Sequence, residues 1–316
     1  MPSPDEHYVT LFDQAFLPYG MALHASLMRH GEPFRLWVVC LDEVVEQRLR
    51  QLALPGVETI ALAAIEDADL LRVKPTRSRA EYCWTLTPCT FAAVFAHAPE
   101  AQRVTYIDSD VWLVSSPGPI FAELDAAGAD VLITDHGFAP RYAHLGARSG
   151  RFCVQFLVAR RGGSDAIIGW WRERCLEWCY DRYDAGRFGD QKYLDRWQEL
   201  FGARVRVLEH PELTQAPWNV ERFRPEQAAI FHFQGFRRVA ERTVMLYYGY
   251  RVPDHAERFY RGYLADFRAA LERLETLGVR VPVSRYRPLK RLKASLMRLV
   301  GTTRFVPLDW AGSGPA

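Results

Sequence analysis

The first architectural signal is YVTLFDQAFLPYGMALHASLMRHGEPFRLWVVCL, residues 8–41. Residues 8–12 form an apolar, partly β-branched run that reads as a strand. Residues 18–31 read as a helix. Pro18 stands in its first turn, where a missing N–H costs nothing, and Gly31 lies just past its end. Residues 34–41 are continuously apolar, as expected of a strand covered on both faces. Further along, a helix is expected at about 43–53, with Val44, Val45, Leu49 and Leu52 on one face. VETIAL, residues 57–62, reads as a third strand. Parallel strands need long crossovers, so β-α-β-α-β spacing predicts a mostly parallel central sheet flanked by helices, an α/β fold.

Residues 66–80 are polar and carry Lys74, Arg77 and Arg79. Residues 81–97 read as a long helix interrupted by Pro88, and residues 103–108 as the next strand. Residues 130–136 and 151–160 are two more strand candidates. Ser164 is placed to cap a helix reaching about Tyr180, in which Ile167, Trp171, Cys175 and Trp178 form one apolar stripe. The chain shows no internal repeat and no low-complexity linker. A catalytic domain over residues 1–250 is expected, followed by a helical, basic C-terminal extension over 251–316.

Of the 316 residues, 49% are hydrophobic and 25% charged, and the formal net charge is +2. That balance fits a globular protein and argues against a nucleic-acid partner. No apolar run approaches the roughly 20 residues of a membrane span. MPSPDEHYVT has neither the basic nor the apolar region of a secretory signal. The six cysteines show no C-x-x-C spacing and sit in apolar or helical stretches. They read as reduced, in a cytoplasmic protein. Asn219 is the sole asparagine, which singles it out for a specific role.

YIDSDVWLVSSP, residues 106–117, poses the chemical question. A buried strand ends in Asp108 and Asp110, two carboxylates that repel and so need a cation, protons or water. Residues i and i+2 of an extended segment point to one side. Both carboxylates therefore face one point, at the carboxyl end of a strand where open α/β sheets bind ligands. Two hard oxygen ligands suit Mg²⁺ or Mn²⁺, with positions left for phosphate oxygens. A solvated Asp-Ser-Asp turn is the plain alternative, although buried flanks make an idle carboxylate pair costly. G-x-G-x-x-G, G-x-x-x-x-G-K-[ST], G-x-S-x-G and H-E-x-x-H are all absent.

The chain resembles GT-A fold glycosyltransferases, and in particular family 8-type galactosyl/glucosyltransferases of bacteria, over roughly residues 7–240. VTLFDQAFLPYGMALHASL, RVTYIDSDVWLVSSPGPIFAEL, RFCVQFLVARRG, GRFGDQKYLDRW, APWNV and FHFQGFRR carry the resemblance, in the family's order. It implies a nucleotide-sugar donor, a UDP-hexose most of all, and Mn²⁺ or Mg²⁺. Asp108 and Asp110 match the D-x-D that holds the metal, and His232 matches the later metal-ligand histidine. Gly235 matches the glycine that lets the diphosphate approach. Arg238 stands where a phosphate-pairing lysine usually stands. Asp190 and Gln191 match the Asp-Gln pair beside the anomeric carbon, in the catalytic role. Phe12 and Asp13 fall where the base and ribose sit, Arg77 could reach the diphosphate, and Asn219 falls in a segment facing donor or acceptor. The family's Asn-x-Gly is replaced by Cys153-Val154-Gln155, where Gln155 could take over hydrogen bonding to the sugar. The Lys-Pro-Trp ending is absent.

Between Arg280 and Arg304 the chain carries Arg285, Arg287, Lys290, Arg291, Lys293 and Arg298, and no acidic residue. Leu289, Leu292, Leu296 and Leu299 recur at helical spacing. Over about 285–300 this reads either as a basic amphipathic helix on an anionic membrane surface or as a helix packed on the domain. The first reading places the protein on the inner face of the membrane. The expected function is sugar transfer to a glycan or lipid-linked cell-surface acceptor, with retention at the anomeric carbon. A sugar nucleotidyltransferase and a non-catalytic carbohydrate-binding protein on a transferase fold are the competing readings.

Overall fold

The computed structural model describes residues 6–31, 33–283 and 297–310. In chain order its strands are β1 (Glu6–Phe12), β2 (Phe34–Cys40), β3 (Val57–Ala61), β4 (Arg103–Ile107), β5 (Val111–Leu113), β6 (Val131–Asp135), β7 (Phe152–Arg160), β8 (Val205–Val207), β9 (Thr214–Gln215), β10 (Ile230–His232), β11 (Arg237–Ala240), β12 (Thr243–Tyr248) and β13 (Thr303–Pro307). The α-helices are α1 (Leu17–His30), α2 (Glu43–Leu52), α3 (Ala68–Val73), α4 (Arg79–His97), α5 (Gly118–Ala127), α6 (Leu145–Ser149), α7 (Asp165–Glu177), α8 (Trp197–Phe201) and α9 (Glu257–Thr276).

These elements divide into two compact units. Among the described residues, the first takes in those up to Asp13, those from 33 to 108, and Gly118–Pro211. The second takes in Gln14–Gly31, Ser109–Pro117 and the described residues from Glu212 onward.

The first unit is a seven-stranded sheet in the order β3-β2-β1-β4-β7-β6-β8. The pairings β1–β2, β2–β3, β1–β4 and β6–β8 are parallel, as the crossover spacing predicts. Only β7 runs against its neighbours. Both faces of the sheet are covered, which explains the unbroken apolar runs. Val9, Leu11, Trp37, Val39, Val104 and Tyr106 lie in one core with Leu86 and Phe91 of α4 and with Ile167, Trp171 and Cys175 of α7. Of the apolar residues expected on α2, Val45, Leu49 and Leu52 are buried, while Val44 is exposed.

Two helix expectations need correction. The helix expected to break at Pro88 runs through it without interruption. The Thr85 and Thr87 hydroxyls donate to the carbonyls of Glu81 and Cys83 one turn back. This helix also starts earlier than expected, because Ser78 and Glu81 form a capping box. Ser164 precedes α7 but does not cap it. Its hydroxyl donates back to the Arg160 carbonyl at 2.6 Å, and α7 ends at Glu177.

The second unit holds α1, α9 and two three-stranded sheets, β5-β10-β9 and β11-β12-β13. Its core is aromatic. Phe231, Phe233 and Phe236 pack with Tyr19 and with Phe259, Tyr260, Tyr263 and Phe267 of α9. The Phe233 and Tyr263 rings stack at 3.8 Å. Asp266 of α9 accepts from the Trp112 indole at 2.7 Å and pairs with Arg29, whose guanidinium lies 5.4 Å from the Trp112 ring centre. The basic amphipathic stretch expected at 285–300 lies, through residue 296, outside the described residues. Among the described residues, no helix is long and apolar enough to cross a membrane.

Candidate active site

The site begins with strand register in the second unit. β5, which directly follows the D-x-D, pairs antiparallel with β10 so that His232 lies opposite Val111. The Phe233 amide donates to the Asp110 carbonyl at 2.8 Å, extending the ladder by one bond. This register sets the His232 imidazole beside the Asp110 carboxylate, with Nε2 and Oδ1 3.1 Å apart. Both side chains are buried. Trp218 closes the far side, its ring edge-on to the imidazole at 5.3 Å.

After His232 the chain turns back on itself. The Phe236 amide donates to the Phe233 carbonyl at 2.8 Å, and Gly235 takes φ +88 within that turn. A side chain at Gly235 would meet the Tyr248 amide nitrogen at 3.2 Å, so this turn calls for glycine on two grounds. The turn delivers β11, and with it Arg237. The Arg237 guanidinium stands 3.6 Å from Asp110 Oδ2, over the Phe16 ring at 5.1 Å, and donates to the Phe236 carbonyl. Burial works against the charged Asp110 carboxylate. His232 and then Arg237 outweigh it and hold the group below the usual carboxylate range.

Asp108, two residues earlier, is the last residue of a segment of the first unit. Its amide donates to the Gln155 carbonyl at 3.2 Å, and its carboxylate accepts from the Tyr106 hydroxyl at 3.0 Å. Within the second unit, the Asp110 carboxylate and a ring nitrogen of His232 stand side by side. A hard anionic oxygen beside an imidazole is a donor pair that fits a divalent cation, and the buried Asp110 carboxylate needs positive charge.

Asp190 is in the same unit as Asp108. It precedes a 3₁₀ turn (Gln191–Arg196) without capping it through its side chain, and its carbonyl accepts from the Trp171 indole. Burial first, and then the Asp108 charge, push its carboxyl up to about 8. Gln191 donates to the Ser149 carbonyl at 2.6 Å and so ties this turn to the end of α6.

Several residues singled out in the sequence make other contacts. Arg77 donates to the Leu176 carbonyl and lies over the Tyr180 ring at 3.9 Å. Its neighbour Arg79 pairs instead with Asp13, at 2.7 Å, and with Asp42. Phe12 is buried, and its carbonyl accepts from Leu41. Gln155 is fully buried. The Asn219 amide serves its own turn: Oδ1 accepts from Ala216 N at 2.8 Å and Nδ2 donates to the Thr214 carbonyl. Arg238 donates to the carbonyls of Glu241 and Val281. Arg237 was missed. Residues adjacent on a strand face opposite sides, so only one of the two arginines can face Asp110, and only the register of β11 decides which.

No protein-family model matches the chain. Among solved structures, the chain is similar to mouse xyloside xylosyltransferase 1, with a TM-score of 0.50 and 15% identity over 73% of this chain and 98% of that one. It is similar to the apo form of the glycosyltransferase GlyE of Streptococcus pneumoniae TIGR4, with a TM-score of 0.50 and 17% identity over 89% of this chain and 65% of GlyE. The bifunctional glycosyltransferase WbbM gives a TM-score of 0.52 at 15% identity; 85% of this chain matches, spanning 51% of WbbM. The fold is therefore the GT-A fold expected from the sequence. The uncharacterized protein YfnD of Bacillus subtilis (strain 168) is 29% identical over 286 residues, 85% of this chain and 91% of YfnD. The uncharacterized protein YfnF of the same organism is 33% identical over 220 residues, 67% of this chain and 71% of YfnF. With that identity over that share of its relative, the chain belongs to the family of YfnF.

Proposed function

We propose that this chain is a metal-dependent glycosyltransferase. It moves a sugar from a nucleotide-diphosphate sugar, a UDP-hexose first among candidates, to a glycan or lipid-linked acceptor of the cell surface. The observation that carries this reading is the Asp110–His232 pair: a histidine 122 positions downstream is set by strand register onto the second carboxylate of the D-x-D. A GT-A fold around such a pair supports transferase chemistry.

Asp108, Asp110 and His232 would hold Mn²⁺ or Mg²⁺, which offsets negative charge on a departing nucleoside diphosphate. The resemblance supports Gly235 as the point at which the diphosphate approaches the backbone. Asp190, buried beside the charge of Asp108, is the group for the sugar: protonated it donates a hydrogen bond, and ionised it stabilises positive charge at the anomeric carbon. Gln191 braces that turn. The resemblance supports retention. The acceptor hydroxyl then attacks from the side the leaving group vacates and gives its proton to the diphosphate oxygen. The cationic sequence from Arg285 supports a peripheral position on an anionic, cytoplasm-facing membrane surface, where lipid-linked acceptors lie.

The test is release of nucleoside diphosphate from a panel of sugar nucleotides with Mn²⁺. Asp110→Ala is expected to lose about a hundredfold or more. Full turnover by an Asp108→Ala plus Asp110→Ala protein, or in excess chelator, would contradict the reading.

A further inference from the structure

The second unit contains a cation where a metal site has no evident need of one. Arg237 is 3.6 Å from Asp110 Oδ2, while His232 occupies the other oxygen of the same carboxylate at 3.1 Å. A guanidinium does not lose its charge in proteins. A divalent ion held by Asp110 and His232 would therefore sit beside a fixed positive charge in a partly buried place, where repulsion is weakly screened. A diphosphate, carrying charge to answer both cations, reverses that relation. The guanidinium is placed for the exchange. It rests over the Phe16 ring and donates to the Phe236 carbonyl. Its side chain is 29% exposed, so a ligand can approach it.

We infer that Arg237 couples metal and diphosphate: it neutralises Asp110 while no cation is bound and moves to the diphosphate when cation and diphosphate arrive together. The inference rests on the transferase reading and deepens it, giving the phosphate-pairing role to Arg237 and not Arg238. The coupling is thermodynamic and reciprocal. Mn²⁺ alone binds weakly, a nucleoside diphosphate strengthens it, and Mn²⁺ strengthens the nucleotide by the same factor, typically about 5–150-fold. Arginine suits this role because its planar fork can pair bidentately with a carboxylate or with a phosphate.

Titration calorimetry or electron paramagnetic resonance of Mn²⁺, alone and with UDP, GDP, ADP or CDP, reads this without turnover. In Arg237→Gln, Mn²⁺ alone is expected to bind about three- to tenfold tighter. The nucleotide in saturating Mn²⁺ is expected to bind at least about tenfold weaker, so the mutual enhancement collapses. Arg237→Lys, which keeps the charge, should restore part of the enhancement and guards against a folding defect. Binding of both ligands with unchanged enhancement in Arg237→Gln overturns the inference alone. So does loss of enhancement in Arg238→Gln but not in Arg237→Gln. A protein that binds neither Mn²⁺ nor any nucleotide overturns the inference together with the transferase reading.

Discussion

Asp190 is a carboxyl whose surroundings favour its proton. Burial and the Asp108 charge raise it from an ordinary 3.8 to about 8 in the folded protein. The folded chain thus keeps a proton that the unfolded chain gives up near pH 4, and this contribution to stability is complete below that pH and lost as pH rises through about 8. Asp190→Asn should flatten the fall in stability between about pH 4 and pH 8, by up to about 1.4 kcal/mol per pH unit. Denaturant melts across that range give the slopes, and parallel slopes for both proteins would count against a raised carboxyl. The spacing of Asp108 and Asp110 marked the carboxylate pair, and the family resemblance singled out Asp190 and His232. They could not assign side-chain contacts. Arg77 lies over Tyr180, Arg79 takes Asp13, and the Asn219 amide is engaged by its own turn. Each of those outcomes depends on which neighbour lies within reach, and a linear pattern does not record that.

Strand β5 fixes the site through two partners. Its pairing with β10 brings His232 to Asp110, and a slip of one residue would turn the imidazole to the opposite face. Its Trp112 is locked by Asp266 and Arg29 against α9, where Gly262 leaves room for the indole. A methyl group at Gly262 would stand 2.7 Å from the Trp112 ring. Alanine in place of a helical glycine gains up to about 1 kcal/mol of propensity, while overpacking a held ring costs about 1–3 kcal/mol. Gly262→Ala should therefore destabilise the protein by roughly 1–2 kcal/mol in denaturant unfolding, whereas a gain in stability would mean the ring yields. Apolar periodicity made α1, α2, β1, β2 and β3 legible from the sequence. It did not reveal that β7 runs antiparallel or that α4 continues through Pro88, since pairing direction leaves no periodic trace and a proline reads locally as a break.

Taken whole, the chain builds its two units from interleaved segments, and one of the boundaries between segments falls within the D-x-D. Asp108 ends one segment of the first unit, and Asp110 and His232 belong to the second. The α/β alternation of the first 65 residues foretold the sheet of the first unit. The composition of the second could not be foretold in this way, because short strands such as Thr214–Gln215 and Ile230–His232 are too brief for a pattern. The measurement that bears most directly on the whole is anomalous diffraction from crystals grown with Mn²⁺ and a nucleoside diphosphate. One manganese peak is predicted, within about 2.0–2.4 Å of carboxylate oxygens of Asp108 and Asp110 and of His232 Nε2. Saturating Mn²⁺ with no peak on these three side chains, or with the metal bound elsewhere, would contradict the account.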